Sequence, residues 1–132
     1  MIDRAKLQGA PYIGLRIVAG GMFALHGAQK LLGVLTTDVG PKLGSQMWFG
    51  GLIELVCGAL IAIGLLTRPA ALLASGTMAV AYIQFHWNGA MGSQLFPIVN
   101  GGELALLYCF VFLAIFAHGA GMASVDGLRG KV

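Results

Sequence analysis

Four apolar runs leave this chain few ways to fold: Tyr12 to Lys30, Trp48 to Leu66, Pro69 to Trp87, and roughly Ile98 to His118. Each is 19 to 21 residues long. At ~1.5 Å rise per residue, a helix of that length reaches about 28 to 32 Å, the thickness of a bilayer's hydrocarbon core. Composition agrees. Hydrophobic residues make up 58% of the chain and charged residues 10%, whereas soluble domains carry about 25% charged residues. Mean hydropathy is +0.84. An ordinary soluble globule and a disordered chain are both excluded on these grounds. The expected fold class is all-α, a four-helix transmembrane bundle forming one domain over the 132 residues.

The connections set its topology. Only Thr67 and Arg68 separate the second run from the third, and Pro69 suits the first turn of a new helix, so these two form a tight antiparallel hairpin. The connections from Leu31 to Met47 and from Asn88 to Pro97 are longer and glycine-containing, and with four helices both fall on the same side. Arg4, Lys6, Arg68, Arg129 and Lys131 lie on the side of the termini and the hairpin, against Lys30 and Lys42 on the loop side. By the positive-inside rule both termini are expected in the cytoplasm, with the two longer loops on the non-cytoplasmic side of a bacterial inner membrane. Lys and Arg form no basic stripe interleaved with aromatics, so no nucleic-acid partner is expected.

Alternating helix direction brings polar residues to one end. His26 and Lys30 lie near the loop-side end of the first helix, at the i, i+4 spacing that stacks them on one face. Glu54 falls roughly 9 Å below the loop-side interface on the second. His86 closes the third helix, and Asn100 and Glu103 open the fourth. A carboxylate inside a spanning segment costs several kcal/mol on insertion scales and normally faces a partner or a cavity. His26, Glu54, His86 and Glu103 are therefore candidate catalytic residues lining one polar pocket beneath the loops, with Lys30, Asn100 and Trp48 as candidate ligand-binding residues. Trp48 and Trp87 also suit an interfacial aromatic belt. Arg16, at the other end, is expected to contact the cytoplasmic boundary or another helix end. Cys57 and Cys109 read as packing residues.

Two weaker patterns accompany these. Gly44-Ser45-Gln46 followed by Gly50-Gly51 and Glu54 resembles Gly92-Ser93-Gln94 followed by Gly101-Gly102 and Glu103, which as a repeat would set two His–Glu pairs symmetrically about a shared centre. Small residues recur at Gly20, Ala24 and Ala28, at Gly50 and Gly58, and at Ala71, Ser75 and Ala79, as helices that approach closely in lipid require.

The sequence resembles the DoxX-like membrane proteins over about residues 12 to 126. The resemblance rests on Arg16, on His26-Gly27 with Lys30, on Trp48-Phe49-Gly50-Gly51 leading to Glu54, and on Gly64-Leu65-Leu66-Thr67-Arg68. Ala81-Tyr82 with His86, the stretch Pro97-Ile98-Val99-Asn100-Gly101-Gly102-Glu103 with Tyr108, and terminal Gly119, Gly121, Ser124 and Asp126 extend it. It implies a four-helix integral membrane subunit. Some members of this broad group belong to thiosulfate:quinone oxidoreductases and others are associated with thiol-stress and oxidant defence.

The first functional expectation is a redox subunit that binds a quinone, His26 and Lys30 holding or protonating one carbonyl while Glu54, His86 and Glu103 relay protons to the loop side. Electrons would come from a partner redox protein, because the chain has no dinucleotide fingerprint or Cys-x-x-Cys motif; a homo-oligomer is the other expected association. A haem or metal site built on His26 and His86 with the carboxylates is the second reading. A non-enzymatic assembly or transport module is the third.

Overall fold

The computed structural model describes residues 4–130; Lys131, counted in the charge bias, lies outside them. Among these residues the chain is all-helical. It comprises α1 (Arg4–Leu32), α2 (Gln46–Ile63), α3 (Thr67–Ala81) prolonged by a π-helical turn (Tyr82–Trp87), a 3-10 turn (Gly92–Leu95), α4 (Pro97–Asn100), α5 (Glu103–His118) and α6 (Val125–Leu128). α1 packs along α2, α3 along α5, and the α2–α3 hairpin joins the two pairs.

Each of the four apolar runs is largely helical, with shifted limits and breaks. α1 begins at Arg4 and runs through Pro11, well before Tyr12, because Arg, Ala, Lys, Leu and Gln in its first turns are all strong helix formers. The third run divides into α3 and the π turn. The fourth is broken: α4 ends at Gly101 in the left-handed region (φ 73°), a conformation glycine adopts without cost, and α5 starts only at Glu103. Among the described residues, Gln46–Ile63 is the helix that by itself is long and apolar enough to cross a membrane, with hydropathy 1.7, and Glu103–His118 is apolar but shorter.

Glycines let α1 and α2 approach backbone to backbone. A Cβ at Gly20 would come within 2.6 Å of the Ala62 nitrogen and 2.7 Å of the Gly58 carbonyl oxygen, and one at Gly27 would run into Leu55 and Gly51. Gly50, expected in this stripe, has open space around it; Gly51 and Gly58 carry the contact. The core around α5 follows a 3,4,3 spacing of buried residues, Ala105, Tyr108, Phe112 and Ile115, the stripe a helix presents to one side. Phe112 meets Phe23 at a ring-centroid distance of 4.7 Å and Tyr108 at 5.3 Å.

Polarity is distributed the opposite way from a water-soluble bundle. Leu15, Val18, Met22 and Leu25 of α1 and Leu107, Phe110 and Leu113 of α5 are exposed, whereas Arg16, Glu54, Thr67, Ser75 and Asp126 are buried. Exposed apolar surface on this scale is unusual for a soluble monomer.

The hairpin end is held by long-range caps. α2 ends at Gly64 in the left-handed region, its N–H donating to Ile61, and Leu66 in the same region (φ 49°) opens α3 with no cap of its own. Arg16, completely buried, donates from Nη1 to the carbonyls of Ile61 and Ala62 (2.9 Å each) and from Nη2 to that of Ala123 (2.7 Å). Helix-end capping is thus the role of Arg16. Asp126 accepts from the backbone N–H of Leu66 (3.1 Å) and Thr67 (2.9 Å) and from the Thr67 hydroxyl (3.0 Å). Burial raises its pKa, and these hydrogen bonds lower it by more, leaving its carboxyl below the ordinary carboxylate value. Arg68 caps α5 by donating to Phe116 (2.7 Å) and Ala117 (3.0 Å).

Candidate functional site

The i, i+4 pair on α1 points Lys30 at α2, where its Nζ meets Glu54 Oε1 at 2.7 Å. Glu54 is 4% exposed, and its second oxygen, Oε2, is buried with no hydrogen-bond partner. A buried ion pair tolerates neither partner alone, since the survivor would be an uncompensated charge. Lys30 spends one of its three N–H groups on this bond, so the donor expected for a ligand carbonyl is partly committed.

A cavity of about 930 Å³ adjoins the pair, and His26, Lys30, Glu54, His86 and Tyr108 all line it. His26, Glu54 and His86 are thus brought together as expected. His26 sits edge-on to Tyr108, ring centroids 6.4 Å apart. In the sequence Tyr108 stands out only as one of the residues that carry the family resemblance; its hydroxyl is buried and unpartnered, which makes it a site candidate that the reading of charged residues and histidines passed over. His86 comes from the π turn, whose wider ring re-aims side chains at the end of a helix.

The remaining candidates are not brought to the cavity. Glu103 lies exposed at the start of α5 and does not line the cavity, because the Gly101-Gly102 break turns the first residue of α5 outward. The proposed repeat fails with it, for its two glutamates sit in opposite environments. Asn100 ties its own loop to the π turn: Nδ2 donates to the Tyr82 hydroxyl (3.2 Å) and the Gln94 carbonyl (3.0 Å), and Oδ1 accepts from Gly102 N–H (2.8 Å). Trp48 is half-buried against Phe49, ring centroids 5.2 Å apart, and is likewise off the cavity wall.

The two loops do not roof the cavity. Of the segment from 31 to 47 only Gln46 and Met47 line it, and these form the first turn of α2; no residue between 88 and 97 lines it. It runs instead as a groove between α2 and α3, from Pro69 to His86, a rise of roughly 25 Å. Exposed Phe49, Leu72, Leu73, Val80 and Phe85 form its rim, and a hydrogen bond from Gln46 to Gln84 (2.5 Å) bridges the two helices at the loop-side end. The mouth therefore faces sideways through apolar side chains, with the ionisable groups at its inner wall.

Among the described residues, no three of His, Cys, Asp and Glu come together in a way that could hold a metal ion. Cys57 and Cys109 are both free, and Cys109 packs against Ser75, whose hydroxyl donates to the Cys109 carbonyl (2.8 Å).

Comparison with known proteins gives a family and no chemistry. The family model DoxX matches residues 12–87. A protein of Haemophilus influenzae described as uncharacterized is 44% identical over 115 residues, covering 85% of each chain. No solved structure matches.

Proposed function

The chain belongs to the DoxX family of membrane-integral proteins, and from that premise we propose that it is a four-helix transmembrane subunit of a redox system that binds a quinone in the α2–α3 groove. A partner protein supplies the electrons. The observation that carries this reading is the sideways apolar mouth leading to buried acid–base groups. A ligand dissolved in the bilayer enters such a groove without crossing water, and its polar head meets Lys30, Glu54 and Tyr108 at membrane depth. The inverted polarity of the bundle, with Leu15, Val18, Leu107 and Phe110 outside and Arg16 and Glu54 inside, supports the multi-pass reading, since ionisable groups at membrane depth face the bundle interior.

A bound quinone supplies two-electron, two-proton chemistry. The chain contributes orientation and proton handling. Tyr108 and the remaining N–H groups of Lys30 donate to ligand oxygens, and Glu54 Oε2 accepts. His86, at the loop-side end of the groove, exchanges protons with the aqueous face, and His26 fixes the ring of Tyr108 from its edge. Glu103, exposed near the same end, has no direct role.

The five-to-two distribution of Lys and Arg supports cytoplasmic termini in a bacterial inner membrane; a reporter fused after Val132 that is active only outside the cytoplasm refutes that orientation. The function is tested by purifying the protein in mild detergent and extracting it with organic solvent. An isoprenoid quinone is expected at near one per chain and is lost in the Glu54→Leu variant. Absence of quinone from the purified protein, together with failure to take up added quinone, overturns the proposal.

A further inference from the structure

We infer that the groove prefers the hydroxylated, reduced form of its ligand, a quinol, over the corresponding quinone, an inference that rests on the quinone reading above. The unsatisfied groups at its inner wall are of two kinds. Tyr108 has a hydroxyl, which donates or accepts and is therefore indifferent to the ligand's redox state. Glu54, with Oε1 ion-paired to the Lys30 ammonium at 2.7 Å and Oε2 buried without a partner, presents a carboxylate, which only accepts and is satisfied by a donor.

A quinone brings two carbonyls, which only accept. Bound beside Glu54, it leaves Oε2 unpaired and sets its own lone pairs against a carboxylate. A quinol brings two O–H groups. One donates to Oε2 in a charge-assisted bond, and the lone pairs of the same oxygen accept from Tyr108 or from the remaining N–H groups of Lys30. Tyr108 is held for this by the stacked ring of Phe112 and the edge of His26. No electron transfer is needed for the discrimination, since it comes from the match of donors to acceptors. Leaving a buried acceptor unpaired is disfavoured enough to weaken the quinone by about tenfold or more relative to the quinol.

Anaerobic equilibrium dialysis of the full-length protein in detergent, with decylubiquinol, decylubiquinone and the bis-methyl ether of the quinol, tests this. The quinol is expected to bind at least about tenfold more tightly than either of the others. In Glu54→Gln, with Lys30 holding the amide oxygen, an N–H2 group replaces Oε2, and the preference is expected to disappear or invert while the helical circular dichroism stays unchanged. Quinone binding as tightly as quinol in the wild-type protein overturns the inference and leaves the quinone reading standing, and this comparison decides the matter even if the variant fails to assemble. The methyl ether binding as tightly as the quinol also overturns it. Binding of none of the three overturns the quinone reading and the inference together.

Discussion

Arg16 and Asp126 grip the same turn from opposite sides, the guanidinium holding the last carbonyls of α2 at Ile61 and Ala62 and the carboxylate holding the first N–H groups of α3 at Leu66 and Thr67. Each charge is opposite in sign to the helix end it caps, which is negative at a C-terminus and positive at an N-terminus. Asp126 N–H also donates to the Gly64 carbonyl at 2.8 Å, so the segment after α5 is tied to the hairpin by main chain as well as side chain.

Replacing Arg16 with Leu is expected to lower stability in detergent by about 3 kcal/mol or more, because three carbonyls lose a charged donor. Arg16→Lys recovers less than half of that, since one ammonium cannot span the end of α2 and Ala123 together as the guanidinium fork does. Thermal unfolding measures both; equal stability of the lysine variant and the wild type would show that the fork geometry is irrelevant.

The depressed pKa of Asp126 makes stability depend on pH in a stated direction. A carboxyl whose folded pKa lies below its unfolded value, about 3.9, contributes fully above that value, and the contribution is lost as pH falls through the lower, folded pKa. Unfolding temperature is therefore expected to drop below about pH 4 in the wild-type protein. Asp126→Asn is less stable at neutral pH and shows a smaller drop. Parallel curves for the two proteins would exclude Asp126 as the titrating group.

Gly20→Ala is expected to cost roughly 1 to 3 kcal/mol by forcing α1 away from α2. Gly21→Ala, one residue along the same helix with nothing within 4 Å of the added Cβ, is expected to be neutral or stabilising by about 0.5 to 1 kcal/mol. Chemical denaturation of the pair in one detergent checks the contrast, and equal destabilisation of both would argue against the close approach.

Lys30→Met leaves Glu54 buried and unpaired, and a loss of about 2 to 4 kcal/mol is expected. The double variant Lys30→Met, Glu54→Leu removes both charges, so most of the stability returns while quinone retention does not. Measuring unfolding and extractable quinone on the same samples separates folding from binding. Retained quinone in the double variant would show that the pair serves structure alone.

The all-helical class, the helical character of the four apolar runs and the burial of Glu54 were legible in the sequence because each depends on one-dimensional facts: run length, the position of glycine and proline, and the cost of burying a charge without a partner. Chain direction alone also brought His26, Lys30, Glu54 and His86 to one end. Helix rotation was not legible, since a sequence apolar on nearly every face has little periodicity to read, and only packing decided that Tyr108 turns inward and Glu103 outward. Local breaks acted in the same way. The Gly101-Gly102 interruption and the π turn at Tyr82–Trp87 change which residues face inward in ways that no spacing rule anticipates, and only tertiary packing set Phe23 and His26 of α1 and Tyr108 of α5 behind α2 and α3 to form the groove.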